Sequence, residues 1–179
     1  DGIVNVLGLI LGVAIATNEV KIVLVAGISA LFAESISMGA VAYTSSKAAR
    51  DFYQRELKTE KREVKEVPRE EEREIKNIYH KKGFRWKLLS DIVKKIISDK
   101  KLWVETMMKE ELRLFPDDYD KPIKSGLFVL GATVAGSLIP LIPFFFLSVK
   151  WGMISALALS LIVLFAVGAV KSKLTIGDW

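Results

Sequence analysis

The chain has no cysteine and only one histidine, His80. The first absence excludes disulfides and thiolate metal sites. The second excludes sites built from several imidazoles, including the Glu-x-x-His pairs of carboxylate di-iron bundles. His80 precedes Lys81 and Lys82 and reads as a surface residue. Proline is scarce, five in 179 residues, and from Ser45 to Glu66 there is neither proline nor glycine. No Walker loop, dinucleotide fingerprint, zinc-hydrolase motif or nucleophile elbow is present, and the glycines fall in apolar runs and turns instead of a strand–loop–helix context. An enzyme is therefore not expected. Lys and Arg are interleaved with nearly as many Asp and Glu, so the net charge of +5 does not point to nucleic acid.

Charge and apolarity are instead segregated in blocks. Mean hydropathy is +0.31 although 26% of residues are charged. Residues 2–17, 22–46, 125–149 and 151–170 carry almost no ionised side chain, while 47–124 holds 22 of the 26 Lys/Arg and 17 of the 21 Asp/Glu. A soluble domain would mix the two classes at helical or strand period. Blocks of this length predict an all-α polytopic membrane protein with an inserted charged helical domain. The expected division is two spans in 1–46, the inserted domain in 47–122, and two further spans with a tail in 123–179.

The first span, Gly2 to about Thr17, makes roughly 24 Å of helix at 1.5 Å per residue, short of a ~30 Å hydrocarbon core. It is expected to begin upstream of Asp1, which places Asp1 within the membrane thickness. Gly8 and Gly12 form a GxxxG pair that favours close helix contact in lipid. Asn18-Glu19 is a turn. Span two starts near Val20, and with no breaker before Pro68 its helix is expected to run on for over 40 residues as a stalk. Arg69–His80 reads as a second helix ended by Gly83. Trp86–Ser98 has apolar residues at Leu88, Leu89, Ile92, Val93, Ile96 and Ile97, an amphipathic period. Lys101–Leu114 reads as a further helix closed by Pro116. Span three is expected over about Ile123–Leu147 despite Pro140 and Pro143. Span four is expected over Trp151–Val170, after a short turn at Val149–Trp151. Lys47, Arg50, Lys121, Lys124, Lys171 and Lys173 fall on one side, which the positive-inside rule makes the cytosol.

Polar groups inside the apolar helices are functional candidates by default, because a carboxylate there is costly unless paired, protonated or hydrated. Asp1, Asn5, Glu34, Ser35 and Ser37 are such groups, and Glu34 shares a helix face with Met38. In the charged block, Glu60/Glu63 and Glu71/Glu74 are two i,i+3 carboxylate pairs flanking Pro68. If the bend brings them together, cations must neutralise them. The plainer reading is a solvated face with Lys partners at i,i+4. Met107 and Glu111, also i,i+4, offer thioether plus carboxylate, suited to a borderline ion such as Fe²⁺. Their plainer reading is that Met107 and Met108 fill a small core.

Five segments then carry a resemblance: DGIVNVLGLILGVA, ESISMGAVAYTSSKAARDFYQREL, EVPREEEREI, WVETMMKEEL and GSLIPLIPFFF. In this order, and over nearly the whole chain, the sequence resembles the vacuolar iron transporter family of Fe²⁺/H⁺ exchangers. The resemblance implies a homodimer, five spans per subunit with the fifth beyond Trp179, and a cytosolic three-helix metal-binding domain. It implies metal ligands at Glu60, Glu63, Glu71, Glu74, Met107 and Glu111, and a translocation path past Asp1 and Met38. A pathway glutamate expected at Ala30 is replaced by Glu34, one turn nearer Met38. The function expected is proton-coupled transport of Fe²⁺, with Mn²⁺ next and Zn²⁺ a further candidate, out of the cytosol. The membrane is vacuolar in a eukaryote and the cell membrane in a microbe. The alternative is a non-transporting scaffold whose charged arm binds a partner or anionic lipid.

Overall fold

A computed structural model describes residues 2–116, 119 and 121–175. Among the described residues seven α-helices follow in chain order: α1 Gly2–Thr17, α2 Val20–Glu66, α3 Pro68–Lys81, α4 Trp86–Ile97, α5 Lys100–Glu110, α6 Pro122–Leu138 and α7 Val149–Thr175. A 3-10 helix, Ile139–Phe145, joins α6 to α7, and no strand occurs among the described residues. Three stretches are long and apolar enough to cross a bilayer: α2, Pro122–Phe145 and α7. α1 is apolar but only 16 residues long. The protein is an all-α polytopic membrane protein.

Local chemistry explains most of the boundaries. α1 and α2 are separated at Asn18, which takes a left-handed φ of 53°, a conformation asparagine tolerates better than most residues. α2 runs 47 residues because nothing in it breaks a helix. α3 begins with Pro68 at its first position, where a missing N–H costs nothing. Gly83, at φ 100°, closes it.

Three boundaries differ from the sequence reading. α7 begins at Val149, inside the expected Val149–Trp151 turn, and runs past Val170 to Thr175. Pro140 and Pro143 remove N–H donors and turn the end of the third span into a 3-10 helix. α5 ends at Glu110, short of Leu114. There Arg113 adopts φ 56° and the Leu114 N–H bonds back to the Met108 carbonyl at 2.9 Å, so the stop lacks the glycine that would have marked it.

The chain divides into two compact units, one drawn from Asp1–Tyr43 and Ile123–Trp179, the other Thr44–Pro122. In the first, α1 packs on α7 and on the 3-10 helix. Val6, Ile10, Ala14, Val23, Leu31, Leu141, Phe144, Val149 and Ala156 form its core. α2 and α6 approach at Gly39 and Gly126: a Cβ on Gly39 would lie 2.9 Å from Leu130 Cβ and 3.2 Å from the Gly126 carbonyl oxygen. Gly27 is likewise filled by Leu141 and Ile10. Gly8 and Gly12, by contrast, have no atom within 4 Å of where a Cβ would stand, so the GxxxG pair makes no close contact within this chain.

In the second unit α3 packs on α4 and α4 on α5. Tyr53, Val64, Ile75, Leu89, Val93, Ile96, Trp103, Val104, Met107 and Met108 are the buried core. Asp99 caps α5, its Oδ1 accepting from Lys101 N at 2.8 Å. Arg85 donates to the His80 and Phe84 carbonyls beyond the C-terminus of α3.

Gly39→Ala is expected to destabilise the protein by about 1–3 kcal/mol, since backbone and Leu130 Cβ occupy the space. Gly168→Ala, whose Cβ meets nothing within 4 Å, is expected to be neutral or slightly stabilising. Thermal unfolding of both variants in detergent checks the contrast.

Candidate metal site

Val67 interrupts the helical run, and the carboxylates are placed symmetrically about it. Glu63 and Glu71 lie four residues to either side, Glu60 and Glu74 seven. Each pair occupies one face of its helix, because positions three apart are neighbours. Val64 of α2 and Ile75 of α3 join the same apolar cluster, which orients both faces toward it. Glu60 and Glu71 are each only 5% exposed, and Glu63 and Glu74 are half-buried. Glu111, one turn beyond the buried part of α5, is close enough to repel Glu60, Glu63, Glu71 and Glu74. It also shares a hydrogen bond with Glu74.

The charge of this cluster is uncompensated. The ion pairs among the described residues are Arg55–Glu56, Arg62–Glu66, Lys82–Glu110 and Lys101–Glu105. None uses one of the five clustered carboxylates. One oxygen each of Glu60 and Glu71 is buried without a hydrogen-bond partner. A solvated face with i,i+4 lysines does not look like this. Burial, then repulsion from Glu71, Glu111, Glu63 and Glu74, pushes the Glu60 carboxyl up to about 8. Burial, then Glu74, Glu63, Glu111 and Glu70, pushes Glu71 up to about 7. Glu111 is raised as well, by burial first and then by Glu74 and Glu63. For Glu60 the ionised form is disfavoured by on the order of 4–5 kcal/mol, at about 1.4 kcal/mol per pH unit.

As placed, no three acidic or histidine side chains among the described residues are arranged to hold one ion. The carboxylates are gathered but not closed into a coordination shell. Met107 is fully buried in the apolar cluster, as is Met108. Its carbonyl accepts from the Glu111 N–H at 3.0 Å, which ties the thioether and the carboxylate into one turn.

In the membrane unit, Asn5 Nδ2 donates to Glu34 Oε1 at 2.8 Å, linking α1 to α2. Glu34 and Met38 are both half-buried on one face of α2, and Ser35 between them is buried with its hydroxyl unpartnered. Ala30 packs against the apolar core. Asp1 lies outside the described residues. The Asn5–Glu34 bond spans 29 positions of sequence, so no local pattern announces it.

The model of the VIT family matches residues 1–179. The chain belongs to the VIT family. It is 33% identical to vacuolar iron transporter 1 of Tulipa gesneriana over 176 residues, covering 98% of this chain and 71% of the relative. The vacuolar iron transporter 1 of Arabidopsis thaliana is 31% identical over 98% of this chain and 70% of its own length. The vacuolar iron transporter of Toxoplasma gondii is 34% identical over 97% of this chain and 61% of its own length. These relatives are transporters, not enzymes.

The raised carboxyls make stability pH-dependent. Folded Glu60 and Glu71 keep their protons to higher pH than when unfolded, so the folded state binds more protons between about pH 4.5 and 8. Their contribution to metal-free stability therefore falls as pH rises through that window. Glu60→Gln cannot ionise and is expected to flatten the slope, ending up to about 4 kcal/mol more stable than the parent at pH 8. Denaturation with chelator present, from pH 5 to 8, checks this.

Proposed function

We propose that this member of the VIT family moves divalent metal out of the cytosol, Fe²⁺ first and Mn²⁺ next, in exchange for protons. The observation that carries this reading is the cluster Glu60, Glu63, Glu71, Glu74 and Glu111, gathered without a Lys or Arg ion-pair partner among the described residues. A protein has little reason to bury uncompensated carboxylates unless a cation or proton takes the place of the missing partner. The names of the relatives supply the metal: each is called an iron transporter. Met107 completes the donor set with a thioether, which suits Fe²⁺ and not Mg²⁺ or Ca²⁺.

In this mechanism the second unit is cytosolic and captures the ion. Its carboxyls start partly protonated, so binding metal releases protons. The ion then passes Asp1 and Met38, with Glu34 as ligand or proton carrier in place of the absent glutamate at Ala30. Asn5 holds one oxygen of Glu34 and leaves the other to act. The working form is a homodimer, and the open surface at Gly8 and Gly12 supports a second copy of α1 against it. The membrane is vacuolar, as in the names of the relatives, or the cell membrane of a microbe.

Calorimetric titration of the whole chain in detergent with Fe²⁺ and Mn²⁺ tests the capture site. Affinity is expected to rise between pH 5.5 and 8, and Glu60→Gln/Glu71→Gln to lower it at least tenfold. Equal heats for the parent and the variant would return the charged block to the scaffold reading. In proteoliposomes with an imposed pH gradient, Met38→Ala and Glu34→Gln are expected to abolish Fe²⁺ flux; full activity in both refutes the pathway.

A further inference from the structure

Between Glu74 and Asp91 the interleaving of charge stops: the stretch contains Lys76, Lys81, Lys82, Arg85 and Lys87 and no acidic residue. It forms the corner between α3 and α4. At this corner Trp86 is 90% exposed and Leu88 57% exposed. Trp86 also holds a left-handed φ of 47°, a backbone state that bulky L-residues avoid. A fully exposed indole in a strained backbone, flanked by exposed cations, is not explained by the core of the unit. That core takes Leu89, Val93 and Ile96 of α4 and leaves Trp86 and Leu88 exposed.

We propose that the α3–α4 corner docks on the surface of an anionic phospholipid bilayer, Trp86 and Leu88 entering the headgroup region and Lys81, Arg85 and Lys87 meeting the lipid phosphates and carboxylates. Indole prefers this zone because one end is apolar and the N–H finds polar partners. Lys82 is already engaged with Glu110 and stacks over Tyr79, so it stands apart from this role. A second copy of the chain is a poor occupant, since a two-fold contact would set like charges against each other. Both ends of the unit continue into membrane-crossing helices, α2 and α6. Tethering raises the effective concentration of lipid, so a small contact suffices.

The test uses the whole chain in nanodiscs of neutral phosphatidylcholine or of the same lipid with about a third phosphatidylserine. Both leaflets carry the same lipid, so the outcome is independent of sidedness and of transport. Trp86 emission is isolated as the parent signal minus that of Trp86→Phe. In anionic discs it is expected to shift to the blue and to be quenched at least twofold by brominated phosphatidylcholine, with neither effect in neutral discs made with the same brominated lipid. Lys81→Gln/Lys87→Gln, with unchanged far-ultraviolet circular dichroism, is expected to weaken the contact about fivefold per lysine. Raised salt is expected to do the same. Identical Trp86 emission and quenching in the two discs overturns the proposal. So does a Trp86 response to soluble heparin that is matched by none to anionic lipid.

Discussion

Repulsion among buried carboxylates in the second unit is held in check by the apolar cluster around Ile75, Val64 and Met107. Ten buried side chains make up that cluster. It fixes the three carboxylate-bearing segments, the end of α2, the start of α3 and the end of α5, within range of one another. Val64 and Ile75 lie on the acidic helices and bury them. Met107 buries α5 and, through its carbonyl, positions the turn that carries Glu111.

On the proposed reading, protons and metal ions compete for the same uncompensated charge. At low pH protons neutralise the cluster and the unit is most stable; as pH rises the carboxylates ionise and the vacancy in charge grows. Glu60 and Glu71, with carboxyls raised to about 8 and about 7, titrate near neutral pH. Affinity for a cation then depends on pH without any moving part. Glu111 is raised in the same way, by burial first, then by repulsion from Glu74 and Glu63 and by the hydrogen bond it shares with Glu74.

Much of this was legible in the sequence, for stated reasons. Block segregation of charge gave the membrane-spanning fold, because lipid tolerates few ionised residues whatever the packing. The absence of any breaker before Pro68 gave the long α2. The carboxylate pairs around Pro68 gave the candidate site, although the solvated-face alternative stayed open until burial and the missing Lys partners were visible. Other features depend on tertiary contact. Arg113 ends α5 in a conformation its residue type does not advertise. Leu88 fits the amphipathic period of α4 yet stays exposed, because the buried stripe takes only Leu89, Val93 and Ile96. Asn5 and Glu34 were each conspicuous as polar residues in apolar runs, but only the packing of α1 against α2 makes them partners.

On the transport reading, a site that carries cargo differs from one that stores it in having to let go. Both acidic centres of this chain have that character. In the charged unit, mutual repulsion and burial place a proton in competition with every bound ion, which limits affinity near neutral pH. In the membrane unit, Glu34 is a single carboxylate whose one oxygen is already taken by Asn5 at 2.8 Å. The neighbouring donor on the same face of α2 is the soft Met38 thioether. Such a sparse set binds a borderline ion weakly and hard cations poorly. Selectivity in this design comes from donor chemistry, and release from leaving the donor set incomplete.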